Sequence, residues 1–252
     1  MDESPLLLTV EHAALAVLTL NRPERVNAIT LAMWGQLAEL LEGMRERDDV
    51  RGLVIRGSGG NFSGGADISE FGQNRRGTQA GLAYEAVFER AVEALRMLPK
   101  PTIAAVSGSC MGGACALAMA CDFRVAAPDA RFAIPAARLG VVYPVPECRL
   151  LLGLVGLSRA KRILFTGQAV QAQDAFQIGL VDQVSGNPEQ AAREWMAQML
   201  ENAPLSIAGA KRILNALASG EAEAREQELQ ALVKQAMESQ DYQEGARAFL
   251  EK

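Results

Sequence analysis

Apolar residues arrive first in short β-branched or leucine-rich runs and later in stripes at helical spacing. Residues 6–10 and 14–20 are two such runs around Glu11-His12-Ala13, which predicts a hairpin. Thr30 can cap a helix whose apolar face is Met33, Trp34, Leu37, Leu40, Leu41 and Met44. Leu53-Val54-Ile55 centres a short strand between Arg51 and Arg56. Tyr84, Val87, Phe88, Ala91, Val92, Leu95 and Leu98 form a second helical stripe, stopped by Pro99 and Pro101. Thr102 to Val106 is a buried strand, Gly112-Gly113 opens a helix, and Phe123-Arg124-Val125 is a further strand. From Ser158 onward nearly everything is helical. Asn187-Pro188 is a cap followed by a first-turn proline, and Leu229, Leu232, Val233, Ala236 and Met237 share one face. The pattern predicts one mixed α/β core with a C-terminal helical extension.

Composition narrows the class. Of 252 residues 49% are apolar and 22% charged, enough for a sizeable core. A net charge of −5 leaves no basic excess for nucleic acid or anionic lipid. No uncharged apolar run reaches the roughly 18 residues of a membrane span, and the acidic N-terminus lacks the basic region of a secretory signal. A cytoplasmic protein is expected. Cys110, Cys115, Cys121 and Cys148 form no C-x-x-C pair, and His12 is the single histidine, so no metal site is expected. The first three cysteines sit in an apolar stretch and read as small buried hydrophobes.

The same scarcity excludes chemistries. A Ser-His or Cys-His nucleophile needs an imidazole beside it, and no G-x-S-x-G elbow exists. No glycine-rich run ends in Gly-Lys-Ser/Thr, and the G-x-G-x-x-G pattern breaks at Phe62. Two glycine-rich turns remain, Asn61-Phe62-Ser63-Gly64-Gly65-Ala66-Asp67-Ile68 and Val106-Ser107-Gly108-Ser109-Cys110-Met111-Gly112-Gly113-Ala114-Cys115. They are either ordinary tight turns or a pair of backbone sites. The first N–H groups of a helix lack internal partners and carry the positive end of its dipole. Two converging from separate turns can hold a carbonyl oxygen as it gains charge, at roughly 3–4 kcal/mol per donor.

Asn21-Arg22-Pro23-Glu24-Arg25-Val26-Asn27-Ala28 resembles the N-terminal signature of the crotonase (enoyl-CoA hydratase/isomerase) superfamily. Phe62-Ser63-Gly64-Gly65-Ala66-Asp67-Ile68 is similar to its second motif. Lys100-Pro101-Thr102-Ile103-Ala104-Ala105-Val106-Ser107-Gly108, with Met111-Gly112-Gly113 and Ala120-Cys121-Asp122, resembles the third. Thr166-Gly167, Ala175 and Gly179-Leu180-Val181-Asp182 match the stretch downstream. The resemblance runs in order from about Leu15 to the C-terminal helices. It implies a spiral of ββα turns over residues 1–195 and a helical trimerisation region over 196–252, packed on the core or on a neighbouring subunit. It implies an acyl-CoA substrate, no prosthetic group, no nucleic-acid or membrane partner, and a homotrimer or dimer of trimers. By motif, the amides of Ala66 and Gly113 would form the oxyanion hole, and Val26, Ala28, Ala66, Asp67 and Ile68 would border coenzyme A. Asp67 would also cap the helix that follows it.

The sequence also departs from that family. Its hydratases place one glutamate after Gly-Gly-x-Cys and another after Phe-x-x-Pro; here those positions are Ala116 and Ala136. A methyl group accepts no proton, so the two-glutamate route to hydration is not expected. The segment after Leu139-Gly140 reads Val141-Val142-Tyr143-Pro144-Val145-Pro146-Glu147-Cys148. Some isomerases of the superfamily carry a single acid–base carboxylate hereabouts, which makes Glu147 a candidate; it also reads as a helix-start residue favoured by the dipole. Tyr143 falls where decarboxylating relatives have a tyrosine, and it reads equally as a wall residue. Tyr84 and Glu85 are read as pocket lining or surface, and Asp122 as structural. Enoyl-CoA isomerisation is the leading expectation, with acyl-CoA decarboxylation or a CoA-thioester-binding member without activity as alternatives.

Overall fold

The computed structural model describes residues 4–11, 14–70, 72 and 77–251; the hairpin turn expected at His12-Ala13 lies outside them. Along the chain run β1 (Leu6–Glu11), β2 (Leu15–Leu20), α1 (Leu31–Met44), β3 (Gly52–Gly57), α2 (Thr78–Arg96), β4 (Thr102–Val106), β5 (Ser109–Met111) and α3 (Gly113–Ala120). Then follow β6 (Phe123–Ala126), β7 (Arg131–Ala133), α4 (Ala136–Leu139), α5 (Val145–Val155), α6 (Leu157–Thr166), β8 (Val170–Gln171) and α7 (Ala172–Gln177). The chain closes with β9 (Gln183–Val184), α8 (Pro188–Leu200), α9 (Pro204–Ser219), α10 (Glu226–Met237) and α11 (Gln240–Leu250).

Six strands form one sheet in the order β1-β2-β3-β4-β6-β9. β1 and β2 pair antiparallel, with Leu6 opposite Leu20, and every later pairing in this sheet is parallel. A smaller sheet has the order β5-β7-β8. β4-β5-α3 and β6-β7-α4 therefore repeat one unit: a strand in the large sheet, a strand in the small one, then a helix. This is the expected mixed α/β spiral of ββα turns.

Strand alternation divides the core between the two faces of the large sheet. Ala16, Leu18 and Leu20 of β2 face α1, α2 and α3, together with Leu53, Ile55, Ala104 and Val106. Leu15, Val17, Val54, Ile103, Ala105 and Val125 point to the opposite face, where α8 covers them with Ala191, Ala192, Met196 and Leu200. The position drawn between residues 195 and 196 from the sequence falls within α8.

Local signals act as expected at the helix starts. The Thr30 hydroxyl accepts the Met33 N–H, and the Asn187 side chain accepts that of Gln190. The near-continuous helix expected after Ser158 is interrupted by β8 and β9, whose two residues each are too short to show a strand period. The first glycine turn leads into a single 3-10 turn at Ile68–Glu70. Asp67 Oδ1 caps that turn by accepting from Ser69 N at 3.1 Å.

Candidate active site

The two glycine turns lie side by side because the backbone pairs them. Ser63 N donates to Ser109 O at 2.9 Å, and Met111 N donates to Ser63 O at 3.0 Å, a short parallel bridge into the small sheet. The Ser63 hydroxyl, fully buried, donates to Asn27 O at 2.7 Å and accepts from Gly65 N at 3.0 Å. Asn27, also fully buried, binds Ser58 O and Asn61 O through Nδ2 and accepts from Arg22 N through Oδ1. This latch explains why buried polar residues stand in the first and second motifs: each polar atom closes one turn onto another.

Gly65 has φ +89°, and a Cβ there would collide with Met111 O while lying 3.5 Å from Gly113 N. Only glycine lets the turns approach this closely. Ala66 and Gly113 both border the same cavity, and the N–H of neither donates to a partner among the described residues. Gly113 is the first residue of α3, so its N–H has no intrahelical acceptor. The preceding amide, Gly112 N, is turned away and bound to Ala133 O at 2.7 Å.

The cavity measures about 160 Å³. Phe88, Met111, Ile134, Pro135, Ala136 and Leu139 give it apolar walls. Ala136, the second of the two positions at which the resemblance calls for a glutamate, lines this space. Ala116 is buried within α3. Three polar side chains reach the wall among the described residues: Tyr84 and Glu85 from α2, and Tyr143 from the segment before α5. The Tyr84 hydroxyl accepts the Trp34 indole N–H at 3.1 Å, and Trp34 packs edge-on against Phe88, so this part of α2 is held firmly. The Tyr143 hydroxyl donates to Gly112 O at 3.4 Å, and burial pushes its pKa up, keeping it neutral.

Glu147 lies in the first turn of α5, fully buried, and is not among the residues on the cavity wall. Both its carboxylate oxygens lack a hydrogen-bond partner among the described residues. Desolvation, with weaker repulsion from Glu89, Glu85 and Glu93 of α2, pushes its pKa up to about 7. The helix-start reading is right about position; loss of water outweighs the helix dipole in setting its charge.

Of the remaining expected site residues, Ile68 lines the cavity, and Val26, Ala28 and Asp67 are not among its lining residues. Ile68 borders the cavity and is 72% exposed, and Val26, in the left-handed region at φ 53°, is 40% exposed. The half-buried Ala28 offers its carbonyl to Arg22 Nη1 at 2.7 Å. Asp67 Oδ2 binds the same guanidinium at 2.9 Å, and its carboxyl is held below the usual range by Ser69 and then Arg22. That ion pair, which joins the first two motifs, was not legible in the sequence. Asp122 is structural as expected: it accepts from Thr102 N, Thr102 Oγ1 and Lys211 Nζ. Cys110, Cys115 and Cys121 are free and buried. No described helix is long and apolar enough to cross a membrane, and no described cluster of three His, Cys, Asp or Glu could hold a metal ion.

Unpaired amides on two residues that line one apolar cavity are the raw material with which enzymes polarise a carbonyl through the backbone. The enoyl-CoA hydratase/isomerase family model matches residues 10–252. Two similar proteins are a short-chain-enoyl-CoA hydratase of Clostridium acetobutylicum, 34% identical over 81% of this chain and 79% of that one, and a crotonyl-CoA hydratase of Syntrophomonas wolfei, 34% identical over 98% and 95%. A solved enoyl-CoA hydratase/isomerase family protein from Hyphomonas neptunium superposes with a TM-score of 0.93 at 36% identity, covering 98% of this chain and 95% of that one. The enoyl-CoA hydratase of Bacillus anthracis gives 0.90 at 26% identity, covering 98% and 96%. The chain belongs to the enoyl-CoA hydratase/isomerase family of the crotonase superfamily and is an enzyme of that family.

Proposed function

We propose that the protein binds an acyl-CoA thioester, holds its carbonyl oxygen between Ala66 N and Gly113 N, and moves a double bond through the enolate that forms there. The observation that carries this reading is that Ala66 and Gly113 line one cavity and the N–H of neither has an acceptor among the described residues. Each donor aimed at the developing charge contributes roughly 3–4 kcal/mol to the transition state. Ile68, on the cavity wall, and Val26, Ala28 and Asp67 of the same two motifs are the residues we assign to the coenzyme A portion. A cavity of about 160 Å³ favours a short acyl group, in keeping with the names of the two hydratases above. We place the enzyme in the cytoplasm.

Isomerisation fits better than hydration because Ala116 and Ala136 offer no carboxylate to activate water. Glu147, the acid–base candidate from the sequence, lies behind the wall, and we assign it a positioning role through Tyr143, which borders the cavity and lies within the field of the Glu147 charge. With a pKa of about 7, its charge, and so the field at Tyr143, changes near neutrality. The place of Tyr143 on the wall also favours a second reading, decarboxylation of an acyl-CoA, in which loss of CO₂ generates the same enolate without a base.

A panel of short 3-enoyl-, 2-enoyl- and malonyl-type CoA thioesters separates these readings. Conversion of 3-enoyl to 2-enoyl-CoA is expected. CO₂ release from the malonyl type would shift the assignment to decarboxylation, and tight binding without turnover would identify a member that has lost catalysis.

A further inference from the structure

We propose that Glu85 is a catalytic residue: its carboxylate, on the α2 wall of the cavity, takes the proton from the acyl α-carbon. This rests on the enolate reading above and names the group that meets the reacting carbon. Two positions on the α3 and α4 side of this cavity are alanines, so a base must come from another element. Among the described wall residues, Glu85 is the only carboxylate. The Tyr84 oxygen already accepts the Trp34 N–H, and burial keeps the Tyr143 phenol neutral. Glu147 is behind the wall.

The position of Glu85 is built. It lies between Tyr84, which is anchored to the Trp34 indole, and Phe88, whose ring meets the same indole edge-on with centroids 4.9 Å apart. Phe88 and Trp34 also lie beneath Gly113, where a Cβ would come within 3.2–3.3 Å of their rings. The element that carries Glu85 is thus packed directly against the residue that supplies one oxyanion-hole amide. Glu85 is half-buried, which limits the water around its carboxylate without removing it from the wall.

In a 3-enoyl thioester the bond from the α-carbon to hydrogen breaks, the proton goes to a Glu85 oxygen, and the electron pair passes into the enolate oxygen held by the two amides. The pair returns through the conjugated system as the γ-carbon takes the proton back from Glu85, giving the 2-enoyl isomer. Substrate and product have the same atoms, and no oxidant, reductant or water is consumed.

The test follows a short 3-enoyl-CoA in D₂O by proton NMR, reading double-bond migration and loss of α-protons together, with thioester binding measured by calorimetry. Glu85→Gln is expected to bind the thioester within about threefold of the native protein while kcat and α-exchange fall at least 100-fold, within the roughly 10²–10⁴ contributed by a positioned base. Glu85→Asp, which retains a carboxylate one methylene short, is expected to recover part of the loss. Native-like exchange and turnover in Glu85→Gln overturns the assignment while leaving the enolate reading intact. If the native protein binds the thioester yet neither exchanges nor isomerises it, the enolate reading fails and Glu85 falls with it. Should Gln at 85 prevent folding, Glu85→Asp decides alone: a lower kcat at an unchanged melting temperature supports the role, and an unchanged kcat overturns it.

Discussion

At the scale of single residues, Glu147 carries the most consequence. Its folded-state pKa of about 7 stands above the ordinary 4.5, so the folded chain holds that proton more tightly than the unfolded chain. Between those values the folded state binds more protons, and stability falls as pH rises through 7. The full effect is on the order of 3 kcal/mol. Glu147→Gln is therefore expected to flatten the fall in melting temperature between pH 5 and pH 8; parallel profiles would show that the carboxyl is not desolvated. The same variant is expected to lose tenfold or more in turnover with little change in KM. Its burial was not legible in the sequence, because Pro-x-Pro-Glu reads as a helix start favoured by the dipole and only the packing of α5 against α3 and α6 removes the water. Glu85 could be read only as pocket lining or surface, from the helix that lines the acyl pocket in the family the sequence resembles. Its isolation as the wall's carboxylate is a property of the assembled cavity.

At the scale of elements, the two glycine turns work as one unit because Ser63 ties them. Ser63→Ala removes the hydroxyl that donates to Asn27 O and accepts from Gly65 N, leaving both buried backbone groups without that partner. A loss of about 1–3 kcal/mol in urea unfolding is expected. Turnover is expected to fall further than thermal stability alone explains, because Gly65 sets the position of Ala66 N. Full turnover at reduced stability would show that the latch supports the fold and not the site. The helices and the long strands could be read from the chain because their apolar periods extend over several turns or residues. The glycine turns could be read only as a choice between tight turns and backbone sites. The choice depends on whether two amides point the same way, which no local pattern encodes. The two-residue strands β8 and β9 escaped because they pair with distant segments and show no period of their own.

At the scale of the molecule, the C-terminal helices leave apolar surface uncovered. Val233 and Met237 of α10 and Tyr242 of α11 are exposed, and they line a groove with Leu205 and Ile213 of α9. The sequence placed Leu229, Leu232, Val233, Ala236 and Met237 on one face of α10, and within one chain only Leu229 of that helix is buried. We propose that residues 196–252 pack partly against a neighbouring copy in a trimer or dimer of trimers. Light scattering is expected to return three or six times 27.0 kDa, and Met237→Asp to lower that mass. A native mass of a single chain would remove this assignment while leaving the cavity unaffected.

The account turns on where a thioester oxygen comes to rest. A crystal structure with a bound, unreactive acyl-CoA measures this directly. The expected result is one carbonyl oxygen about 2.7–3.1 Å from both Ala66 N and Gly113 N, with the acyl chain beside Glu85. A carbonyl bound by neither amide, or an acyl chain lying outside this cavity, would contradict it.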